Sequence, residues 1–188
     1  MSVSAVFAGP QVSLPQMLDA RERRAAAQAR LAAAAPAGAS LLCLTLAIPG
    51  PVKSSPALAW VFERLREVVE GVLAEADVYE RLELGGATGH ELLMPVGMVP
   101  AELKRRMVAL EEEHPLGRLA DLDVFDAGAH ELRPLSRADF GLPLRRCLIC
   151  EGEAKACARS RTHTVEAMQD KIASIIYEGG YRDCGNQD

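Results

Sequence analysis

Apolar positions along the chain change their spacing several times, and each change marks an element. Ser13-Leu14-Pro15-Gln16 has the Ser-x-x-Gln form of a capping box with proline in the first turn. It predicts a helix reaching about Ala35, stopped by Pro36 and held in its Arg21-Glu22-Arg23-Arg24 and alanine stretches by propensity more than by large apolar side chains. Leu41 to Ile48 is a continuous apolar run bounded by Gly and Pro, the mark of a buried strand. After the Pro49-Gly50-Pro51-Val52-Lys53 turn, Ser55-Pro56 caps a second helix in which Leu58, Val61, Phe62, Leu65, Val68, Val69, Val72 and Leu73 recur at three and four. Val78 to Leu84 and Glu91 to Val96, separated by a glycine-rich turn, predict a hairpin.

Pro100 opens a third helix through Leu103, Met107 and Leu110, whose closing Glu111-Glu112-Glu113 opposes the helix dipole and predicts a solvated end. Leu119 to Phe125 alternates like a strand, with a turn at Asp126 to Ala129 and a partner strand expected at His130 to Leu135. A basic, Cys-containing loop region follows over residues 136–163, and a last helix begins near Thr164 and ends at Gly179-Gly180. The order αβαββαββα predicts a single α+β domain, residues 1–188, with helices on a mixed β-sheet and loose ends at 1–12 and 179–188.

Composition narrows the function. The 188 residues carry 21 Lys plus Arg against 26 Asp plus Glu, a balance that argues against a nucleic-acid protein. Thirty alanines and only eight aromatics make the core aliphatic. No apolar stretch is long enough to span a bilayer, and no basic region precedes an apolar run at the N-terminus, so a cytoplasmic protein off the membrane is expected. An odd count of five Cys suits reduced thiols.

Three groups of residues carry candidate chemistry. Asp121 and Asp123 stand two apart in a strand and share one face, where like charges repel unless a cation sits between them. Mg²⁺ held by one or two carboxylates and substrate phosphates is the usual solution in phosphoryl and nucleotidyl transfer, whereas the plainer reading is a polar edge strand. Residues 133–163 contain seven basic and three acidic residues, and guanidinium groups such as those of Arg145 and Arg146 pair well with phosphates. Cys147-x2-Cys150-x6-Cys157-x5-His163 offers four ligands for Zn²⁺, against which stands the reading of small packed thiols. Glu91, Glu131 and His114 each offer a further ligand or base.

The segment from His114 to Val124 (HPLGRLADLDV), then Leu135-Ser136-Arg137, Pro143 to Cys150 (PLRRCLIC) and Cys157 to His163 (CARSRTH), together resemble the apo-citrate lyase phosphoribosyl-dephospho-CoA transferases. Arg21-Glu22-Arg23 and Ile48 to Lys53 fit as well, and the resemblance covers roughly Ser13 to Ile176. Ala120 stands where a bulky aromatic is expected and Leu144 where a second Pro is expected; neither change removes a charged group. The tail from Glu178, with Cys184, lies outside the match.

The resemblance implies an enzyme that attaches the 2'-(5''-triphosphoribosyl)-3'-dephospho-CoA prosthetic group to a serine of the citrate lyase acyl carrier (gamma) subunit and releases pyrophosphate. Asp121, Asp123 and Arg118 are then the expected catalytic residues, with Mg²⁺ on the two Asp. Lys53, His114, Gly117, Arg145 and Arg146 are expected to bind the precursor, and Arg159 and Arg161 to meet precursor or carrier. A polymerase-type scaffold is a weaker expectation, because Gly117 stands only four residues before Asp121. The competing class is a zinc-stabilised adaptor, not an enzyme, whose arginine loop docks an acidic partner.

Overall fold

The computed structural model describes residues 2–182. The described elements are α1 (Val3–Val6), α2 (Leu14–Ala34), β1 (Ser40–Leu46), α3 (Pro56–Val72), β2 (Leu82–Leu84), β3 (Glu91–Val96), α4 (Pro100–Glu113), β4 (Ala120–Asp126), α5 (Ala154–Ser160) and α6 (Val165–Glu178). The capping box forms as expected: Gln16 N–H donates to the Ser13 hydroxyl while Ser13 N–H donates to Gln16 Oε1 at 2.8 Å. Ser55 and Thr164 cap α3 and α6 in the same way.

The four strands run in the order β2-β3-β1-β4, and every pair is antiparallel. The α+β assignment holds, but the sheet is antiparallel throughout and not mixed. Along β1, Leu42 and Leu44 face one layer, where they meet Leu92, Met94, Leu122 and Val124 and pack under α3, α4 and α6. Leu41 and Cys43 face the other, with Leu93 and Phe125, under Leu31 and Ala32 of α2. At the N-terminus, expected to be loose, α1 inserts a fully buried Val6, whose carbonyl accepts from the Ser55 hydroxyl at 2.6 Å. The C-terminal tail from 183 lies outside the described residues.

Two expected strands shrink, each for a visible reason. Only Leu82–Leu84 of the Val78 to Leu84 run is strand, because Pro95 of β3 accepts from Tyr79 N–H but has no N–H to return. The partner strand at His130 to Leu135 is absent apart from an isolated Phe125–Pro134 bridge and one bond from Leu135 N–H to the Val124 carbonyl. The outer edge of β4 is satisfied instead by side chains. Glu111 accepts from Leu122 N–H at 3.2 Å, the Lys104 ammonium donates to the Leu122 carbonyl at 3.2 Å, and Arg145 donates to the Ala120 carbonyl at 2.8 Å.

The end of α4 is thus a correction as well. Glu111 is buried, not solvated, and its carboxylate meets Arg137 at 2.6 Å and Arg145 at 3.5 Å. Arg137 also reaches Glu112. The opposition to the helix dipole is offset by two guanidinium groups that arrive from a distant loop.

Candidate functional site

The stripe of α2 that faces the sheet changes character along its length. Leu31 and Ala27 pack on the apolar end of the sheet, and Arg24, Arg21 and Met17, about one to three turns nearer the N-terminus, overhang a polar end. The sheet face below changes in step. Leu41–Phe125 pairing gives way to Cys43–Asp123 and then Thr45–Asp121, beside Glu91 at the start of β3.

Between helix and sheet at this end lies a cavity of ≈ 360 Å³. Asp121, Glu91, Arg21, Arg24, Lys53 and Thr88 line it, and Gly89, His90 and Met168 help to close it. Gly89 stands at φ +104, and a Cβ there would come 3.3 Å from the Lys53 carbonyl, so the loop can approach only as glycine. The Lys53 ammonium donates to the Ile48 carbonyl. Burial, and then the charge of Arg21, hold its pKa below the ordinary lysine value.

The carboxylates at this end are only partly paired. Asp123 makes no side-chain hydrogen bond or ion pair among the described residues, and burial followed by the charge of Asp121 pushes its pKa up to about 6. Asp121 is nearer solvent and stands 3.9 Å from Arg145. Glu91 pairs with Arg24 at 2.8 Å, but its Oε2 is buried with no hydrogen-bond partner, and burial raises its pKa. A divalent cation fits such a set, with only two Asp ligands from the protein and the remainder left for substrate oxygens.

Of the expected catalytic and metal residues the cavity gathers Asp121 but not Asp123, and of those expected to bind substrate it gathers Lys53. Arg118, Arg145 and Arg146 do not line it. Arg118 donates to the carbonyls of Arg146 (2.7 Å) and Cys147 (3.2 Å), and Arg145 donates back to the carbonyls of Arg118 (2.7 Å) and Ala120. Arg146 is exposed and paired with Glu151. His114 caps α4, its Nδ1 accepting from Leu116 N–H at 3.2 Å, and burial lowers its pKa. Gly117 packs against α4, where a Cβ would lie 2.2 Å from the Leu110 carbonyl. Arg159 and Arg161 are exposed on and just beyond α5 and make no ion pair among the described residues.

Sequence reasoning missed Arg21, Arg24, Thr88 and His90 as cavity residues. The available signals were the basic run Arg21-Glu22-Arg23-Arg24 at a helical stripe position and the glycine-rich turn before Glu91.

The second candidate centre is well formed. Cys147, Cys150, Cys157 and His163 bring their ligand atoms within 4.8 Å of one another, the one cluster of three or more such ligands among the described residues. Cys150 Sγ lies 3.6 Å from Cys157 Sγ and 3.3 Å from His163 Nε2. Burial works against the Cys147 thiolate, but N–H groups of Cys150 and Ile149 and the neighbouring thiols bring its pKa down to about 7. The hydrogen-bonded Cys150 thiol, burial and the Cys147 thiol push Cys157 up to about 11. The cluster is able to bind a metal ion. No helix among the described residues is long and apolar enough to cross a membrane.

Comparison with known proteins places the chain in a family. The model of the CitX family, apo-citrate lyase phosphoribosyl-dephospho-CoA transferase, matches residues 12–179. A probable apo-citrate lyase phosphoribosyl-dephospho-CoA transferase of Streptococcus pyogenes serotype M18 is 40% identical over 94% of this chain and 92% of its own. The Escherichia coli O157:H7 transferase of that name is 33% identical over 88% of each chain. Protein CitXG of Haemophilus influenzae is 38% identical over 89% of this chain but only 35% of its own. The adaptor reading is set aside, and the chain belongs to the apo-citrate lyase phosphoribosyl-dephospho-CoA transferases, enzymes that transfer this prosthetic group to apo-citrate lyase.

Proposed function

We propose that the cavity between α2 and the polar end of the sheet holds the polyphosphate end of triphosphoribosyl-dephospho-CoA. The observation that carries this is the meeting of three cations, Arg21, Arg24 and Lys53, with Asp121 in one cavity. The cations hold phosphate oxygens and orient the innermost phosphorus toward the mouth. A serine hydroxyl of the acyl carrier subunit then attacks that phosphorus. The new O–P bond forms as the bond to the outer two phosphates breaks, pyrophosphate leaves, and the hydroxyl proton passes to solvent. Asp121 and Asp123 would hold Mg²⁺, which when bound supplies positive charge against that building on the phosphates. Arg159 and Arg161, both exposed, meet the carrier. The reaction takes place in the cytoplasm.

The carrier gains the mass of the prosthetic group when enzyme, precursor and carrier are mixed, and no gain overturns the reading. Lys53→Ala and Arg21→Ala should raise the precursor KM by about tenfold or more, and Arg161→Ala should leave it unchanged. Near-normal turnover in both Asp121→Asn and Asp123→Asn sinks the Mg²⁺ assignment.

The metal of the thiolate cluster is read as Zn²⁺. Tetrahedral Zn²⁺ with Zn–S bonds of about 2.3 Å sets its ligand atoms about 3.8 Å apart, close to the 3.6 and 3.3 Å found here. Backbone N–H groups directed at Cys147 Sγ support the same reading, since they stabilise a thiolate. Elemental analysis of purified protein should give one zinc per chain, and protein that takes up none rules the reading out.

A further inference from the structure

We propose that the metal of the thiolate cluster is a positioning element of the transferase site: it fixes the crossed pair Arg118 and Arg145 and thereby sets the Arg145 guanidinium beside Asp121. The proposal rests on the zinc reading above and adds a coupling between the two centres.

The cluster grows out of the strand-like segment that carries Arg145. Cys147 N–H donates to the Gly152 carbonyl at 2.7 Å, Ala154 N–H donates to the Arg145 carbonyl at 2.9 Å, and Arg146 bridges Glu153. Residues 145–147 thus pair with 152–154, with Cys150 in the turn between them and Cys157 one helical turn beyond. This unit has almost no core of its own. α5 buries no residue, and from residue 143 to 163 only Cys147 is buried. With so little apolar area removed from water, the order of the segment has to come from another source, and four convergent metal ligands supply one.

What the unit holds in place is the edge of the site. Arg118 is anchored on the carbonyls of Arg146 and Cys147, one of them a ligand residue. Arg145, two residues before that ligand, spans the carbonyls of Arg118 and Ala120 and lies between Glu111 at 3.5 Å and Asp121 at 3.9 Å. Releasing the cluster frees both anchors. The guanidinium that partly offsets the charge of Asp121 then has no fixed position, and phosphate placement against the Asp pair is lost without any change in the cavity lining.

The test uses full-length protein and follows three readouts: zinc content, precursor KM and kcat, and amide hydrogen exchange over residues 118–122. Cys150→Ser should lose zinc, speed exchange over 118–122 and raise the precursor KM by about tenfold or more. Arg145→Ala should keep zinc and show a similar KM change, and the double variant should be no worse than either single one. His163→Cys, which retains four ligands, should keep zinc and normal kinetics. Should Cys150→Ser fail to fold, chelation of zinc from the unmodified protein replaces it. Zinc loss with unchanged KM and unchanged exchange overturns the coupling while leaving the zinc reading intact; a protein that never binds zinc removes both.

Discussion

Arg24 of α2 holds Oε1 of Glu91 at 2.8 Å across the cavity, while Glu91 Oε2 stays buried without a partner. The pair is the charged tie between helix and sheet at the site end, and it is only half satisfied. Arg24→Ala should destabilise the protein by about 3 kcal/mol, because it leaves a buried carboxylate uncompensated. Adding Glu91→Gln to that variant should recover much of the loss in urea unfolding. A double variant no more stable than Arg24→Ala would mean that Arg24 acts through packing of its stem and not through Glu91.

Asp123 gives a pH signature. Its pKa is raised to about 6 in the folded protein by burial and by Asp121, against about 4 in an unfolded chain. The folded state therefore binds the proton more tightly, so this contribution to stability is full below pH of about 4 and is lost as pH rises through about 6. Metal-free protein should lose roughly 3 kcal/mol over that window from this group, and Asp123→Asn should flatten the profile and be more stable at neutral pH. Chemical unfolding at several pH values in the presence of a chelator checks it. The variant that gains stability should be the one that loses transfer.

Glu111 tests whether the end of α4 is a hub. Glu111→Ala removes the acceptor for Leu122 N–H and leaves Arg137, itself almost fully buried, without its buried partner. A cost of about 3 kcal/mol is expected, with a smaller one for Glu111→Gln, which retains an acceptor for the amide. Equal losses in the two variants would mean that charge alone matters at this position.

Gly117, expected from sequence to meet substrate, should behave as a packing residue. A Cβ there meets the Leu110 carbonyl at 2.2 Å and Glu111 backbone atoms at 3.0 Å. Gly117→Ala should cost about 2 kcal/mol or more and lower the melting temperature, with the precursor KM unchanged in the fraction that folds. A raised KM at full stability would return Gly117 to the binding site.

Much of the fold was legible because its signals are local. The Ser13 and Ser55 caps, the apolar run of β1 and the alternation of β4 each lie within a few residues, and the thiolate ligands are spaced along a single stretch. The remainder depended on partners far away in the chain. Arg24 meets Glu91 across 67 positions, and Glu111 is buried only because Arg137 arrives 26 positions later. The arginines of the basic loop looked like phosphate ligands by composition, yet Arg118 and Arg145 spend their donors on backbone carbonyls. Residue type gave the chemistry available to them, and only tertiary structure decides which acceptor they use.

The alternation along β4 has one more effect. Because Asp121 and Asp123 share a strand with Leu122 and Val124, which fill the aliphatic layer, sliding β4 by one residue would drive both carboxylates into that layer and expel the two apolar side chains. Misaligned folding intermediates are therefore penalised by the same two acids that we propose serve the reaction, so a chain that reaches a stable state has already set both carboxylates on the face opposite the aliphatic layer. Replacing both acids with leucine would relax that penalty, and heterogeneity of strand pairing would be the cost.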